Sequence, residues 1–179
     1  MAERKSRTLT GEALWAYALK MLAGRAHSMG ELREKMRRRA AEPGDVDGVL
    51  ERLKELGYLD DRRFAEGFAN ARLNNDRLGR VRVVRDLRQR RVAPALAEST
   101  VAGVYQDIDE QQLIEEWIRR KYRLAPREGL FQDDKELAAA YRRMVRAGFR
   151  SGEILRALKR FAKNPELLDG FEPPEEEPE

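Results

Sequence analysis

Catalysis near neutral pH needs titratable or nucleophilic side chains at usable spacing, and this chain offers few. It has one histidine, His27, and no cysteine. His27 stands directly before Ser28-Met29-Gly30-Glu31, a helix-capping motif, where an imidazole packs or hydrogen-bonds locally more readily than it ligates a metal. The acid pairs Asp60-Asp61 and Asp133-Asp134 have the carboxylate density of a divalent-cation site, yet each precedes an apparent helix start. An aspartate there caps free amide donors and complements the helix dipole, worth about 1 kcal/mol, and capping is the expected role. No G-x-x-x-x-G-K-[ST] phosphate loop or other cofactor motif is present. These residues predict a chain that is not an enzyme and holds no cofactor or metal.

The informative chemistry is cationic. Of 36 basic residues 28 are arginine, whose planar guanidinium suits bidentate contact with phosphate or carboxylate, although an arginine-rich coding bias gives the same composition. Between Arg77 and Arg91 stand seven arginines (77, 80, 82, 85, 88, 90, 91) against one acid, Asp86. If Val83 and Leu87 point inward on a helix, a step of 100° per residue puts Arg82 and Arg85 together on the outward face. The same construction turns Arg37 and Arg38 outward from Leu32 and Met36, and Arg142 and Arg146 outward from Leu137, Tyr141 and Met144. A solvated helix face is the bland reading of any such pair, but recurrence in three places favours a surface for phosphate or an acidic partner. The candidate partner and DNA-binding residues are Arg37, Arg38, Arg77, Arg80, Arg82, Arg85, Arg88, Arg142 and Arg146.

The elements that must carry these arginines read as helices throughout. Prolines are confined to positions 43, 94, 126, 165 and the C-terminal stretch, and no alternating Val/Ile/Thr-rich run stands between turn signals. A first helix over Gly11–Gly24 has Leu14, Ala18, Met21 and Leu22 on one stripe. A second starts at the Ser28 capping box. A third follows Pro43-Gly44, with Asp45 as its expected cap, and places Val46, Val49, Leu50, Leu53 and Leu56 on one face before Gly57 stops it. The order recurs. Asp60 caps a helix carrying Phe64 and Phe68, a break follows at Asn74-Asn75, and Val83, Val84 and Leu87 precede Pro94 and another helix. A third round starts near Gln111, is interrupted around Pro126 to Gly129, and continues through Leu137, Tyr141 and Met144 to Ile154, Leu155, Leu158 and Phe161.

Met36, Leu87 and Met144 hold comparable places 51 and 57 residues apart, near the period of stacked helical repeats. Such units bury their apolar faces against neighbours, so the pattern predicts an all-α chain built as an elongated row of three tandem three-helix repeats resembling helix-turn-helix modules. The expected boundaries are a basic, disordered N-terminus over 1–10, repeats over 11–59, 60–109 and 110–163, and an acidic, disordered tail over 164–179. The last eight residues carry five glutamates and no base, so the body carries +9 rather than the net +4. With no cysteine, no apolar leader and no stretch of roughly 18 apolar residues, the chain is expected in the cytoplasm, away from membranes.

Three blocks taken together, Arg25 to Lys35 (RAHSMGELREK), Leu53 to Asp61 (LKELGYLDD) and Arg63 to Phe68 (RFAEGF), resemble the bacterial RecX family in sequence and in spacing. The likeness runs strongly over 12–73, continues over Leu78–Val92, and returns in Arg142 to Phe149 (RRMVRAGF) and the helix after it. At Arg90-Arg91-Val92 this chain departs from the lysine-glycine-isoleucine turn common in the family, and the acidic tail lies outside the family pattern. The resemblance implies a monomeric, non-catalytic modulator of the RecA recombinase. It would lodge in the RecA filament on single-stranded DNA, contact single- and double-stranded DNA, and restrain recombinase and ATPase activity in DNA repair and the SOS response. A free-standing DNA-binding protein of helix-turn-helix type is the alternative the same residues allow, and a nuclease is a remote third.

Overall fold

The computed structural model describes residues 8–122, 130–131, 133–162, 165–168 and 171. Residues 1–7 and 172–179 of the ends expected to be disordered, and the interruption expected at Pro126 to Gly129, lie outside these. Among the described residues there are nine α-helices and no strand, apart from the isolated bridges Leu9–Ala40 and Phe131–Ala162. In chain order they are α1 (Gly11–Gly24), α2 (Met29–Arg37), α3 (Gly44–Glu55), α4 (Asp61–Ala71), α5 (Arg80–Gln89), α6 (Pro94–Val104), α7 (Glu110–Lys121), α8 (Asp134–Arg146) and α9 (Ser151–Phe161). The chain divides into two compact units, one of residues 1–68 with 86–100 and one of residues 69–85 with 101–179, the divisions falling inside α4, α5 and α6.

In the first unit α1, α2 and α3 pack on one another around Leu14, Ala18, Leu32, Met36, Val46, Leu50, Leu53 and Leu59. Each fully buried leucine contributes about 1.5–3 kcal/mol by leaving water. The capping box at Ser28 forms as expected: its hydroxyl accepts from the Glu31 amide at 3.0 Å and the Glu31 carboxylate accepts from the Ser28 amide at 3.4 Å. Helix α3 begins two residues earlier than expected. Its N-cap is Pro43, without a side-chain cap, so Asp45 lies in the first turn, where a carboxylate favours the dipole without capping. At its other end Gly57, at φ +72°, closes a Schellman turn in which the Tyr58 amide donates to Leu53 O and the Gly57 amide to Lys54 O, both at 2.9 Å.

Helix α4 buries a different face from the one its phenylalanines suggest. Ala65 and Ala69 are fully buried, because small side chains let a helix pack closely, while Phe64 and Phe68 sit half-buried beside them with rings 6.2 Å apart. The break at Asn74-Asn75 is a single π turn over Arg72–Asp76, closed by Arg77 at a left-handed φ of +55°. In the second unit α9 packs against α7 and α8, burying Ile114, Ile118, Leu137, Met144, Ile154 and Leu158. Packing continues beyond Asn164: a 3-10 turn over Pro165–Leu168 lies against α9 with Leu168 buried, and Phe171 meets the Tyr141 ring at 5.9 Å.

A Schellman turn also ends α5, where Val92 donates to Leu87 O at 3.1 Å, and α8, where Phe149 donates to Met144 O at 3.2 Å. Each turn then receives the start of an earlier middle helix. In the first unit Ser28 Oγ donates to Arg90 O, and the Gly30 backbone lies so close that a Cβ there would overlap Arg91. In the second the Gly79 amide donates to Ala147 O at 2.8 Å and the Val81 amide to Gly148 O at 3.3 Å, supplying α5 with acceptors for its free N-terminal donors. A Cβ on Gly79 would overlap the Gly148 carbonyl, and one on Gly148 would overlap the Arg82 backbone.

Two stability predictions follow from these close approaches. Gly79→Ala, forced against backbone, lowers stability by about 2 kcal/mol or more in urea titration, whereas Gly67→Ala, in open space on α4, raises it by roughly 0.5–1 kcal/mol. Arg91 holds the left-handed residue of the α5 turn at φ +60°, a conformation costing a side chain roughly 1–2 kcal/mol. Arg91→Gly is therefore more stable than Arg91→Ala by about 1 kcal/mol, both having lost the same guanidinium; equal midpoints would contradict the assigned turn.

Candidate nucleic-acid interface

The arginine run from Arg77 to Arg91 divides between structural and exposed roles. Arg77, half-buried, pairs with Glu116 at 2.7 Å and donates to Leu73 O at 3.0 Å, fastening the end of the π turn. Arg90 lies 3.3 Å from the Glu31 carboxylate and over the Phe68 ring at 5.1 Å, and Arg91 pairs with Glu34. Arg88 is exposed and pairs with Glu98. Arg80 is half-buried near Tyr105, whose hydroxyl donates to Leu78 O at 2.8 Å. Burial pushes that phenol well above its ordinary value of 10, with the Arg80 charge opposing. Arg82 and Arg85, expected on an outward face, are both half-buried. Val83 and Leu87 do point into the core, but the turn after α8 packs against the first residues of α5, and Arg82 donates to Arg146 O at 3.3 Å.

The other candidates behave differently. Arg37 ends α2 and is exposed; Arg38 follows as C-cap, its side chain 75% exposed and paired with Glu34 at 2.6 Å. Arg142 and Arg146 are exposed one turn apart on α8, and like Arg37 they have no carboxylate partner among the described residues. In the second unit the structure thus brings Arg82 of one middle helix to the end of another that presents Arg142 and Arg146. That group of guanidiniums can make charge-assisted contacts with successive phosphates or carboxylates. The sequence reading missed the internal ion pairs of Arg90 and Arg91. The signal available was Glu31 and Glu34 one turn apart on the motif helix, acids on a half-buried face that attract guanidiniums.

The residues that suggested catalysis are structural. Asp60 accepts from the Arg63 amide at 2.9 Å and Asp133 from the Glu136 amide at 2.8 Å, both as helix caps. Asp61 accepts from the Met29 amide at 2.7 Å, so it serves α2 rather than its own helix. No group of three metal-ligating side chains occurs among the described residues, and no described helix is long and apolar enough to cross a membrane. His27 is 3% exposed, its Nδ1 3.6 Å from the Glu31 carboxylate and neither ring nitrogen hydrogen-bonded.

Residues 15–53 match the family model described as RecX, first three-helix domain, and residues 60–101 that described as RecX, second three-helix domain. A Regulatory protein RecX from Halorhodospira halophila is 35% identical over 143 residues, 80% of this chain and 84% of that protein. The chain belongs to the RecX family. Another regulatory RecX, from Deinococcus radiodurans, is 34% identical over 161 residues, covering 89% of this chain and 73% of its own length. The crystal structure of RecX from Lactobacillus salivarius shares the fold with a TM-score of 0.62 at 16% identity, over 83% of this chain and 94% of that one. A second crystal structure of regulatory protein RecX gives 0.60 at 17% identity, over 82% of this chain and 72% of that one. The family's helix-turn-helix domains thus account for α1 to α3 and for α4 to the greater part of α6.

In this RecX chain burial first, then the Arg25 charge, lowers the His27 pKa below 6.5, with Glu31 pulling the other way. The folded protein therefore prefers neutral imidazole, and its stability is complete above pH 6.5 and declines as pH falls below it. Burial raises the Glu31 carboxyl, but hydrogen bonds and charge from Arg25, the Ser28 amide and Arg90 outweigh it, and that contribution is lost only below 4.5. Thermal midpoints between pH 4.5 and 6.5 should fall with acid in the native chain and flatten in His27→Leu; an unchanged slope in the variant would remove His27 as the cause.

Proposed function

We propose that this chain regulates a RecA-type recombinase by lodging its arginine-bearing helices in the recombinase filament on single-stranded DNA. It restrains strand exchange and ATP hydrolysis during DNA repair and the SOS response, acting in the cytoplasm as a monomer without catalysis of its own. The three repeats, residues 11–59, 60–109 and 110–163, engage the filament in succession, each through its middle helix. The single observation that supports this reading most is the exposed pair Arg142 and Arg146, without carboxylate partners among the described residues, beside Arg82. Membership of a regulatory family supports the non-catalytic role. Arg37 and Arg38 supply the corresponding cations in the first unit, and Arg85 on α5 is a further candidate in the second.

The test titrates the full chain into preformed recombinase filaments on single-stranded DNA and follows ATP turnover. Inhibition that saturates, and that weakens about tenfold or more in Arg142→Glu with Arg146→Glu while circular dichroism stays unchanged, is the expected result. Binding of the chain to the DNA alone with no effect on turnover would favour a free-standing DNA-binding protein. Each phosphate neutralised on a single strand contributes about −0.7 to the slope of log K against log salt. Arg37, Arg142 and Arg146 alone predict about −2, and recruitment of Arg38, Arg82 and Arg85 brings it to about −4. A flat dependence would remove the arginines from the interface.

A further inference from the structure

The first unit holds a cleft of about 590 Å³ between the end of α1, the turn at Gly57 and the start of α4, within the roughly 300–1,000 Å³ of small-molecule sites. Leu19, Leu22, Ala23 and Ala26 give it an apolar wall, and Tyr58 and Phe64 add two aromatic residues. Tyr58 is 54% exposed, yet its ring stands edge-on to Trp15 at 6.4 Å, and Trp15 in turn lies under the Arg52 guanidinium at 4.2 Å. An exposed ring held in this way offers a stacking face. Arg63 brings a guanidinium to the rim, anchored by its hydrogen bond to Gly57 O at 2.9 Å. The Asp60 carboxylate, also on the lining, is engaged by the Arg63 amide.

His27 lines the same cleft with its side chain fully buried. Nδ1 faces the Glu31 carboxylate at 3.6 Å, which favours the proton of the neutral ring on that nitrogen and leaves Nε2 as an acceptor. Nε2 has no hydrogen-bond partner among the described residues. A buried acceptor left unpaired is costly, and a ligand that brings a donor relieves that cost. An apolar side chain of a protein partner would fill the cleft and leave Nε2 as it is. A nucleobase matches every feature: a flat ring that stacks on an aromatic face, N–H donors on its edge, and an attached phosphate for the guanidinium.

We propose that this cleft takes one unstacked base of single-stranded DNA, which stacks on Tyr58, donates an N–H to His27 Nε2 and places its phosphate at Arg63. Entry needs a side-chain adjustment that opens Nε2 to the edge of the base, of the kind common when binding surfaces are occupied. The site is a base contact in the first unit, separate from the arginine contacts of the proposed function, and either can fail without the other.

The test uses the full chain with DNA and no recombinase. Binding of a thymidine oligonucleotide is compared with binding of an abasic strand of the same length, which keeps the phosphates and lacks the bases. The native chain is expected to bind the thymidine strand about tenfold more tightly, the usual worth of one base on an aromatic ring. Tyr58→Ala should lose most of that preference with its circular dichroism unchanged, and Tyr58→Phe should keep it. His27 is the sole histidine, so its side-chain nitrogen resonances are unambiguous. The Nε2 resonance should shift with the thymidine strand and stay in place with the abasic one. Equal affinity for the two strands, or an Nε2 resonance indifferent to the bases, would overturn the assignment. Thymidine monophosphate is the third probe: competition as strong as that of the strand would make the ligand a free nucleotide and overturn the assignment to DNA.

Discussion

A helix leaves its last carbonyls without partners, and in this protein the carbonyl three residues after the central apolar residue of each middle helix accepts a hydrogen bond from an earlier part of the chain. Arg39 O accepts from the Leu9 amide at 2.7 Å, Arg90 O from the Ser28 hydroxyl, and Ala147 O from the Gly79 amide at 2.8 Å. These acceptors follow Met36, Leu87 and Met144, so the hydrogen bond repeats in the register of the apolar pattern. It also dictates sequence. Backbone must approach backbone at the two later turns, which excludes a side chain at Gly79 and Gly148 and places Gly30 against Arg91. Repeats of this kind have no hydrophobic face large enough to stand alone, and a directional bond from one segment into the turn of a later one gives their packing its register.

The same junctions decide what the arginines do. Glu31 and Glu34 on α2 receive Arg25, Arg90, Arg91 and Arg38, and in the second unit Glu110 and Glu115, both buried, receive Arg150, Arg119 and Arg160. A partly desolvated carboxylate needs a partner with several donors in a fixed fork, and guanidinium meets that need better than ammonium. Much of the arginine excess is therefore consumed in holding the fold. Among the cations exposed without a carboxylate partner among the described residues are Arg37, Arg142 and Arg146, at or near the ends of middle helices.

Local chemistry was legible where it depends on near neighbours. The Ser28 box, the Asp60 and Asp133 caps and the Gly57 stop each involve residues within about one turn, and the structure has them as expected. The apolar faces of α2, α5, α8 and α9 were equally readable, since helical periodicity alone sorts inside from outside. Reading failed where a small residue takes the core position, as Ala65 and Ala69 do in α4, each directly after a phenylalanine, because burial there rewards close approach rather than hydrophobic size. It failed again at Arg82: an outward direction on an isolated helix says nothing of a second element, here the turn after α8, lying against it.

By itself the amino-acid order determined the helices, their caps, the spacing of three similar segments and a cationic excess held almost entirely by arginine, all of which follow from interactions across a few residues or from composition. Tertiary structure alone decided which carbonyl each turn offers to which donor, that Arg91 adopts a glycine-like conformation, and which guanidiniums are withdrawn into ion pairs. Those outcomes join residues more than 60 apart in the chain, such as Ser28 with Arg90 and Gly79 with Ala147. No local periodicity encodes such pairings, because they exist only once two separately formed helices have been packed against each other.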